Sequence, residues 1–268
     1  GDWSSDVCSS DLVMMVAASS RGLGFAVARQ AALEGAAVSM GSRSQRNIRE
    51  AADKIREEVP GSVIYPSVLD VADSDSIEFW VKNTIRELGT VDGLLVNGGG
   101  PPPGKFDDID DSGWLLGYEN TLMSAVRLIR EVLPEMRKKK AGSILTITSS
   151  SVKEPIDSLL LSNVYRSGVT SLVKSLSFQL AEDHIRINNL VPGSFDTERL
   201  RSLDLHHSGE WRISLENVRK INFDQIPLGR YGDPSELGKA AIFLLSEAAS
   251  YVTGETFVID GGRMRTVW

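Results

Sequence analysis

The sequence is poor in the residues that most often carry thiol or metal chemistry. It contains one cysteine, Cys8, and three histidines among 268 residues. One cysteine cannot form an intramolecular disulfide or a cysteine-rich metal site, and such low usage suits a reducing compartment. We therefore expect a cytoplasmic protein without a metal centre.

The sequence also lacks a basic excess and any long apolar run. Acidic residues outnumber basic ones by 36 to 29, and the formal net charge is −7. A binder of nucleic acids or anionic membranes needs a basic face, so we expect neither partner. No stretch of roughly 18 apolar residues occurs, which predicts no membrane span. The one basic run, 137–140, follows an amphipathic segment and is interpreted as a solvated helix end.

Residues 1–12 differ in character from the rest of the chain. They repeat Ser-Ser-Asp and show no apolar period. The segment resembles translated sequencing-adapter read-through, so we expect a non-native leader and then one domain over 13–268. Cys8 lies inside this leader, and the predicted domain therefore contains no cysteine.

Two periodicities alternate along the rest of the chain. Short apolar runs typical of buried strands lie at 13–16, 36–40, 63–65, 91–96, 143–147, 186–191 and 256–259. Longer stretches with a helical period lie between them, for example at 25–33, 77–88, 122–136, 164–180 and 234–246. This alternation predicts a single doubly wound α/β domain of the Rossmann type, with about seven parallel strands and helices on both faces. Ligands of such sheets bind beyond the carboxyl ends of the strands.

A turn of small residues follows the first strand and leads directly into a helix. Small residues let the backbone approach a pyrophosphate, and a helix N-terminus offers unpaired N–H groups. An ordinary strand-to-helix turn is the alternative interpretation. The residues that we assign to this phosphate loop are Ala18, Ser20, Arg21, Gly22, Leu23 and Gly24.

The end of the second strand distinguishes between the two nicotinamide dinucleotides. Ser42 and Arg43 lie there, and no acidic residue occurs over 36–47. A carboxylate at this place binds the ribose 2′-hydroxyl of NAD, whereas it would repel the 2′-phosphate of NADP, which an arginine attracts. Arg43, helped by Arg21, therefore favours NADP over NAD. The alternative is that Arg43 is a solvated loop side chain.

These residues together resemble the short-chain dehydrogenases/reductases, over residues 13 to about 262. The phosphate loop is similar to the family's Thr-Gly-x-x-x-Gly-x-Gly motif, with Ala17 and Ala18 replacing the first two residues. Further matches are Asp70 and Val71 at the adenine, Asn97, Gly98 and Gly99 beside the cofactor, Pro192, Gly193 and Thr197 at the nicotinamide, and the tail 226–262. The resemblance, which is nearest to 3-oxoacyl-ACP reductase-like proteins, implies a homotetramer or homodimer.

The resemblance also assigns the catalytic positions. In this family hydride passes between nicotinamide C4 and a carbonyl carbon, while a tyrosine, tuned by a lysine four residues later, protonates the oxygen. Ser149 matches the family serine, but Ser162 stands at the tyrosine position and Arg166 at the lysine position. The asparagine position falls on Thr121, with Asn120 one residue away. A serine hydroxyl is a far weaker acid than tyrosine, and Arg166 can bind ribose oxygens but does not shuttle protons.

Three interpretations of the missing Tyr-x-x-x-Lys stay open. Lys153, four residues past Ser149, is a proton donor if desolvation lowers its pKa, although most lysines are solvated. Tyr165 lies on a neighbouring helical face, where its spacing favours packing. The third interpretation is that catalysis has been lost. His206 and His207 fall where the family has a mobile substrate lid, and paired loop histidines are usually solvated.

The sequence therefore predicts an NADP(H)-dependent oxidoreductase that acts on a small-molecule carbonyl or alcohol. The candidate catalytic residues are Ser149, Ser162, Arg166 and Lys153. The alternative is a catalytically silent NADP(H)-binding protein that serves as a sensor or assembly subunit. Three prolines at 101–103 fix an extended path without N–H donors, and they predict either a rigid wall beside the nicotinamide or a structural corner.

Overall fold

The computed structural model describes residues 12–267 and contains a seven-stranded sheet in the order β3-β2-β1-β4-β5-β6-β7. Every pair of neighbouring strands is parallel. The strands are Val13–Ala17 (β1), Ala37–Ser42 (β2), Ile64–Val68 (β3), Gly93–Val96 (β4), Gly142–Ile147 (β5), Ile185–Pro192 (β6) and Thr256–Ile259 (β7). Each predicted apolar run corresponds to one strand, so the predicted fold class is confirmed. The leader predicted over 1–12, with Cys8, lies outside the described residues except for residue 12.

Helices connect the strands and cover the sheet. They are Gly22–Leu33 (α1), Gln45–Glu58 (α2), Ser74–Leu88 (α3), Asp111–Gly117 (α4), Ser124–Lys139 (α5), Leu160–Leu180 (α6), Glu198–Trp211 (α7), Leu215–Asp224 (α8) and Pro234–Leu245 (α9). A π-helical segment, Tyr118–Met123, joins α4 to α5. Within residues 12–267, no helix has both the length and the apolar character needed to cross a bilayer.

The core forms two layers because successive side chains of a strand point to opposite faces. In β1, Met14 and Val16 pack with α1, α2 and α9 on one face of the sheet. Met15 and Ala17 pack with α3, α5 and α6 on the other face. All five residues of β1 are buried, as expected for a central strand covered on both sides. The order of the sheet reverses between β1 and β4, and the crevice for a ligand opens at that point.

The helix starts show which N-termini are already satisfied. Asp73 caps α3 by accepting a hydrogen bond from the Asp75 N–H at 2.9 Å. At α9, Asp233 and Glu236 form a reciprocal capping box around Pro234. Helix α1 differs from α3 and α9, because Arg21 at its N-cap makes no side-chain cap and its first turn contains no acidic residue; helices α5 and α6 share both features. The N-terminal N–H groups of α1 are therefore left for another acceptor.

Candidate active site

The phosphate loop is a tight turn between β1 and α1. Ala18 has a φ of 50° and Gly22 a φ of 60°, both in the left-handed region. Gly24 packs against the same turn: a Cβ there would lie 2.4 Å from the Ala18 carbonyl oxygen and 2.9 Å from Asn97 Nδ2. Only glycine fits at position 24 without a shift of the backbone.

The surroundings of this loop fit the phosphates of a dinucleotide. Arg21 is exposed, while Ser20, Gly22 and Leu23 are half-buried around the uncapped start of α1. Free N–H groups and the positive end of the helix dipole at this place favour a phosphate group. Backbone N–H groups, rather than a set of charged side chains, therefore make this loop suitable for binding phosphates.

Asn97 fixes the phosphate loop to the middle of the sheet. Its Nδ2 donates hydrogen bonds to the carbonyl oxygens of Ala17 at 3.3 Å and Ala18 at 3.4 Å. Gly98, next in the chain, passes close to Val71 and to the Asn120 carbonyl oxygen, while Gly99 faces open space. The end of β4 therefore supports the loop of β1, as expected for strands that flank a ligand crevice.

The polar residues at the ends of β2 and β3 have different environments. Ser42 is buried and Arg43 is exposed. Arg46 pairs with Glu50, whereas no ion pair holds Arg43 in the described part of the chain. After β3, one carboxylate oxygen of Asp70 accepts a hydrogen bond from the Ala72 N–H at 3.0 Å, which fixes the turn that precedes α3.

The candidate hydroxyl groups lie where β5 meets α6. Ser149 is half-buried, and its Oγ accepts a hydrogen bond from the Ser151 N–H at 3.1 Å. Ser162 on α6 is buried, and its Oγ lies 3.4 Å from the Ser151 Oγ. Ser151, which the sequence did not single out, is therefore the hydroxyl group that contacts Ser162.

Arg166 is anchored at the end of β5. Its Nη1 donates hydrogen bonds to the carbonyl oxygens of Ile147 at 2.9 Å and Thr148 at 3.1 Å. Burial, and after it the nearby Arg199 guanidinium, lowers the pKa of Arg166 to about 10. Arg166 therefore stays charged at neutral pH and positions the chain at the end of β5.

Lys153 and Tyr165, the two alternative proton donors, differ in their surroundings. Lys153 is half-buried and has no side-chain hydrogen bond or ion pair within residues 12–267. Tyr165 donates its hydroxyl proton to the Trp114 carbonyl oxygen at 2.9 Å, and burial raises its pKa. The Tyr165 and Trp114 rings meet edge to face, with their centres 5.8 Å apart. These contacts support the packing interpretation of Tyr165 and leave Lys153 as the less constrained group.

The nicotinamide end of the predicted site is formed by β6 and the start of α7. A Cβ on Gly193 would lie 2.5 Å from the Asp260 Cβ, so glycine is required where the chain leaves Pro192 and passes β7. Thr197 caps α7 by accepting a hydrogen bond from the Leu200 N–H at 3.3 Å. Its methyl group lies 3.9 Å from a Cβ position on Gly22, and Thr197 therefore adjoins the phosphate loop.

The comparisons with known proteins agree with this geometry. Residues 17–263 match a family model described as Enoyl-(Acyl carrier protein) reductase. Over 253 residues the chain is 34% identical to Dehydrogenase/reductase SDR family member 4 of Bos taurus, covering 94% of the chain and 87% of that relative. The protein is a short-chain dehydrogenase/reductase. The resemblance inferred from the motifs is thereby confirmed, and the family is one of oxidoreductases.

Two solved structures extend the comparison for this short-chain dehydrogenase/reductase. L-sorbose reductase from Gluconobacter frateurii, complexed with NADPH and L-sorbose, superposes with a TM-score of 0.93 at 27% identity, covering 98% of this chain and 100% of that one. An NADPH-bound short chain oxidoreductase from Pseudomonas aeruginosa PAO1 is described as containing an atypical catalytic center. It has a TM-score of 0.87 at 28% identity and covers 96% and 98% of the two chains.

The segment that the resemblance places at a substrate lid is helical in this short-chain dehydrogenase/reductase. His206 and His207, interpreted from the sequence as solvated loop residues, lie in α7, and this interpretation was wrong. The His207 ring stacks on Trp211 with the ring centres 4.7 Å apart. The low amphipathicity of this segment gave no helical signal, because α7 packs mainly on α8 rather than on the sheet.

Sequence reasoning also missed the surroundings of Thr121. The Thr121 Oγ1 is buried and has no hydrogen-bond partner among the residues that the structure describes. It lines a cavity of about 20 Å³ together with Asn97, Thr148 and Arg166, and this volume is sufficient for one water molecule. The π-helical segment, which turns Thr121 inward, has no composition signal of its own.

Proposed function

We propose that this protein is an NADP(H)-dependent oxidoreductase that transfers hydride between nicotinamide C4 and a small carbonyl or alcohol substrate. The observation that carries the proposal is the turn at 18–24, closed by Gly24 and followed by an uncapped helix start. The exposed Arg43 at the end of β2, with no carboxylate over 36–47, supports NADP over NAD. The two NADPH-bound relatives described above support the same cofactor.

Different residues of the crevice bind different parts of the cofactor. The backbone N–H groups at the start of α1 bind the pyrophosphate, and Arg43 neutralises the 2′-phosphate. Asp70 and Val71 border the adenine, and Pro192, Gly193 and Thr197 hold the nicotinamide end. When bound, the cofactor supplies the hydride.

Ser149 orients the substrate oxygen in this proposal. Its Oγ already accepts the Ser151 N–H, so its own hydroxyl proton is free to be donated to a substrate carbonyl oxygen. Ser162 is too weak an acid to protonate that oxygen, and Arg166 stays charged. Lys153, which has no side-chain partner in the described chain, is therefore our proposed proton donor.

The test combines binding with turnover. NADPH binding is measured by fluorescence, and NADPH oxidation is then followed with a panel of ketones, aldehydes and 3-oxoacyl thioesters. We expect saturable NADPH binding and oxidation with at least one member of the panel. No affinity for either nicotinamide dinucleotide would overturn the proposal.

A catalytically silent NADP(H)-binding protein is the second candidate. It is favoured by Ser162 and Arg166 in the places that the resemblance assigns to the catalytic tyrosine and lysine. Saturable NADPH binding without oxidation by any carbonyl would favour it over the enzyme. The cytoplasmic location and the homotetramer or homodimer expected from the sequence stay predictions.

A further inference from the structure

Two guanidinium groups from different helices converge beside Gly100, at the end of the β4 loop. A Cβ position on Gly100 lies 3.2 Å from Nη1 and 3.3 Å from Nη2 of Arg199, in the first turn of α7. The same position lies 3.7 Å from Nη2 of Arg166, on α6. The two cations therefore flank one point in the crevice.

No carboxylate in the described chain neutralises this pair. Neither arginine takes part in an ion pair within residues 12–267, and Glu198, next to Arg199, lies 3.7 Å from Arg21. Arg166 uses its Nη1 on two backbone carbonyls, and its Nη2 lies near Gly100. Two like charges in a partly buried place repel each other, and a bound anion would relieve that repulsion.

The position of the pair relates it to the substrate. Arg166 is held by the carbonyl oxygens of residues 147 and 148, which lead directly into Ser149, our proposed ligand of the substrate oxygen. The three residues after Gly100 are prolines, which offer no N–H donors, so the backbone of 101–103 cannot bind an anion and the two guanidinium groups are the charged donors in this place. An arginine fork binds both oxygens of a carboxylate.

We propose that Arg166 and Arg199 form a subsite for a carboxylate of the substrate, which makes the substrate an oxo acid or the corresponding hydroxy acid. This inference rests on the proposed function. In the reduction, an oxo acid, NADPH and one proton give a hydroxy acid and NADP⁺. The carbonyl carbon takes the hydride, the carbonyl oxygen takes the proton, and the carboxylate is unchanged.

The test compares acids with their neutral esters on the protein–NADPH complex. The probes are 2-oxopentanoate and 4-oxopentanoate, which differ in the spacing of the two groups, each beside its methyl ester. Dissociation constants are measured by calorimetry, and NADPH oxidation is followed separately. The variants are Arg199→Gln and, as a control on the same helix, Arg201→Gln, because Arg201 pairs with Asp196 at 2.8 Å.

We expect at least one oxo acid to bind about tenfold more tightly than its ester, since hydrogen bonds to charged groups are individually strong. Arg199→Gln should remove most of this preference, and Arg201→Gln should retain it. No preference, or a preference that survives Arg199→Gln, overturns the inference. A loss of NADPH affinity in Arg199→Gln with the acid preference intact also overturns it and assigns Arg199 to a cofactor phosphate.

Failure of the proposed function gives a different result. If an oxo acid binds with the expected preference but neither the oxo acids nor any member of the carbonyl panel oxidises NADPH, the subsite stands and the oxidoreductase proposal fails. If esters and neutral ketones are reduced as well as the acids are, the oxidoreductase stands and the carboxylate subsite fails.

Discussion

Ala18 occupies a backbone conformation that glycine adopts more easily. Its φ of 50° costs an L-residue roughly 1–2 kcal/mol in the folded state. Removing its Cβ also stabilises the unfolded chain by about 0.4–1 kcal/mol, because that chain gains conformational freedom. We therefore expect Ala18→Gly to raise the free energy of unfolding by about 0.5–1 kcal/mol in urea titrations. Ala17→Gly, one residue earlier in β1, is the control and should lower it. An equal loss of unfolding free energy in Ala18→Gly and Ala17→Gly would show that the backbone of Ala18 is not strained.

Arg43 is the residue on which the choice of cofactor depends. Arg43→Ala should raise the dissociation constant of NADPH about tenfold or more, because a charge-assisted bond to the 2′-phosphate is lost. The dissociation constant of NADH should change little, since NADH has no 2′-phosphate. Arg46→Ala is the matched control, because Arg46 is exposed in the same segment and pairs with Glu50. A similar loss for both cofactors would remove Arg43 from 2′-phosphate recognition.

Lys153 carries the proposed proton transfer. Lys153→Ala should lower kcat by about a hundredfold or more, the usual range for loss of a general acid. NADPH affinity should stay near the wild-type value, which separates a chemical loss from a binding loss. Turnover that matches the wild type would exclude Lys153 from the mechanism.

The residues of the site divide into those that the sequence could predict and those that it could not. Gly22 and Gly24 were predictable, because a tight turn before a helix leaves a local signature. Arg199 and Ser151 were not, since each acts through a contact that depends on where a distant element places its side chain. Thr121 is located in the sequence only by counting along the chain, which gives no indication of its buried, unpartnered hydroxyl group among the described residues.

At the scale of elements, one buried carboxylate connects α7 to its neighbours. Asp204 on α7 is almost fully buried and accepts hydrogen bonds from the Tyr231 hydroxyl at 2.9 Å and from Asn222 Nδ2 at 3.2 Å. Arg219 on α8 lies 3.5 Å from the same carboxylate. This cluster joins α7 to α8 and to the loop after α8, and it therefore sets the position of Arg199 over the crevice.

Removal of that carboxylate should destabilise the packing of α7 on α8. Asp204→Ala is expected to lower the free energy of unfolding by about 2–3 kcal/mol, because it leaves buried donors unpaired. Asp196→Ala, which removes a more exposed ion pair with Arg201, should cost only about 1 kcal/mol or less. Urea unfolding of both variants makes the comparison, and similar losses would show that the Asp204 cluster does not hold α7.

The strands were easier to predict than helices α7 and α8. The strands are buried on both faces, so their sequences are continuous apolar runs whatever their neighbours are. Helix α6 packs on β6, and most of its length, 164–180, shows a helical period in the sequence. Helices α7 and α8 lie mainly against each other, and α7 carries only a weak apolar stripe from which a helix could be predicted.

For the whole molecule, cofactor binding should appear as stability. A ligand that binds only the native state stabilises it by about 2.7 kcal/mol at a concentration of 100 times its dissociation constant. NADPH at that concentration should therefore raise the urea midpoint, and NADH at the same molar concentration should raise it less. Equal shifts with the two cofactors would contradict the predicted preference for NADP(H).

The anchoring of Arg166 has a consequence for the history of the site. Two backbone carbonyl oxygens at the end of β5 depend on its Nη1, and the Ser162 hydroxyl lies against that of Ser151. A change of Arg166 to lysine alone would remove the second nitrogen, Nη2, which lies near Gly100. A change of Ser162 to tyrosine alone would have to place a phenol where two small hydroxyl groups now meet. Neither single step creates the tyrosine–lysine pair, so the present arrangement resists conversion by point mutation.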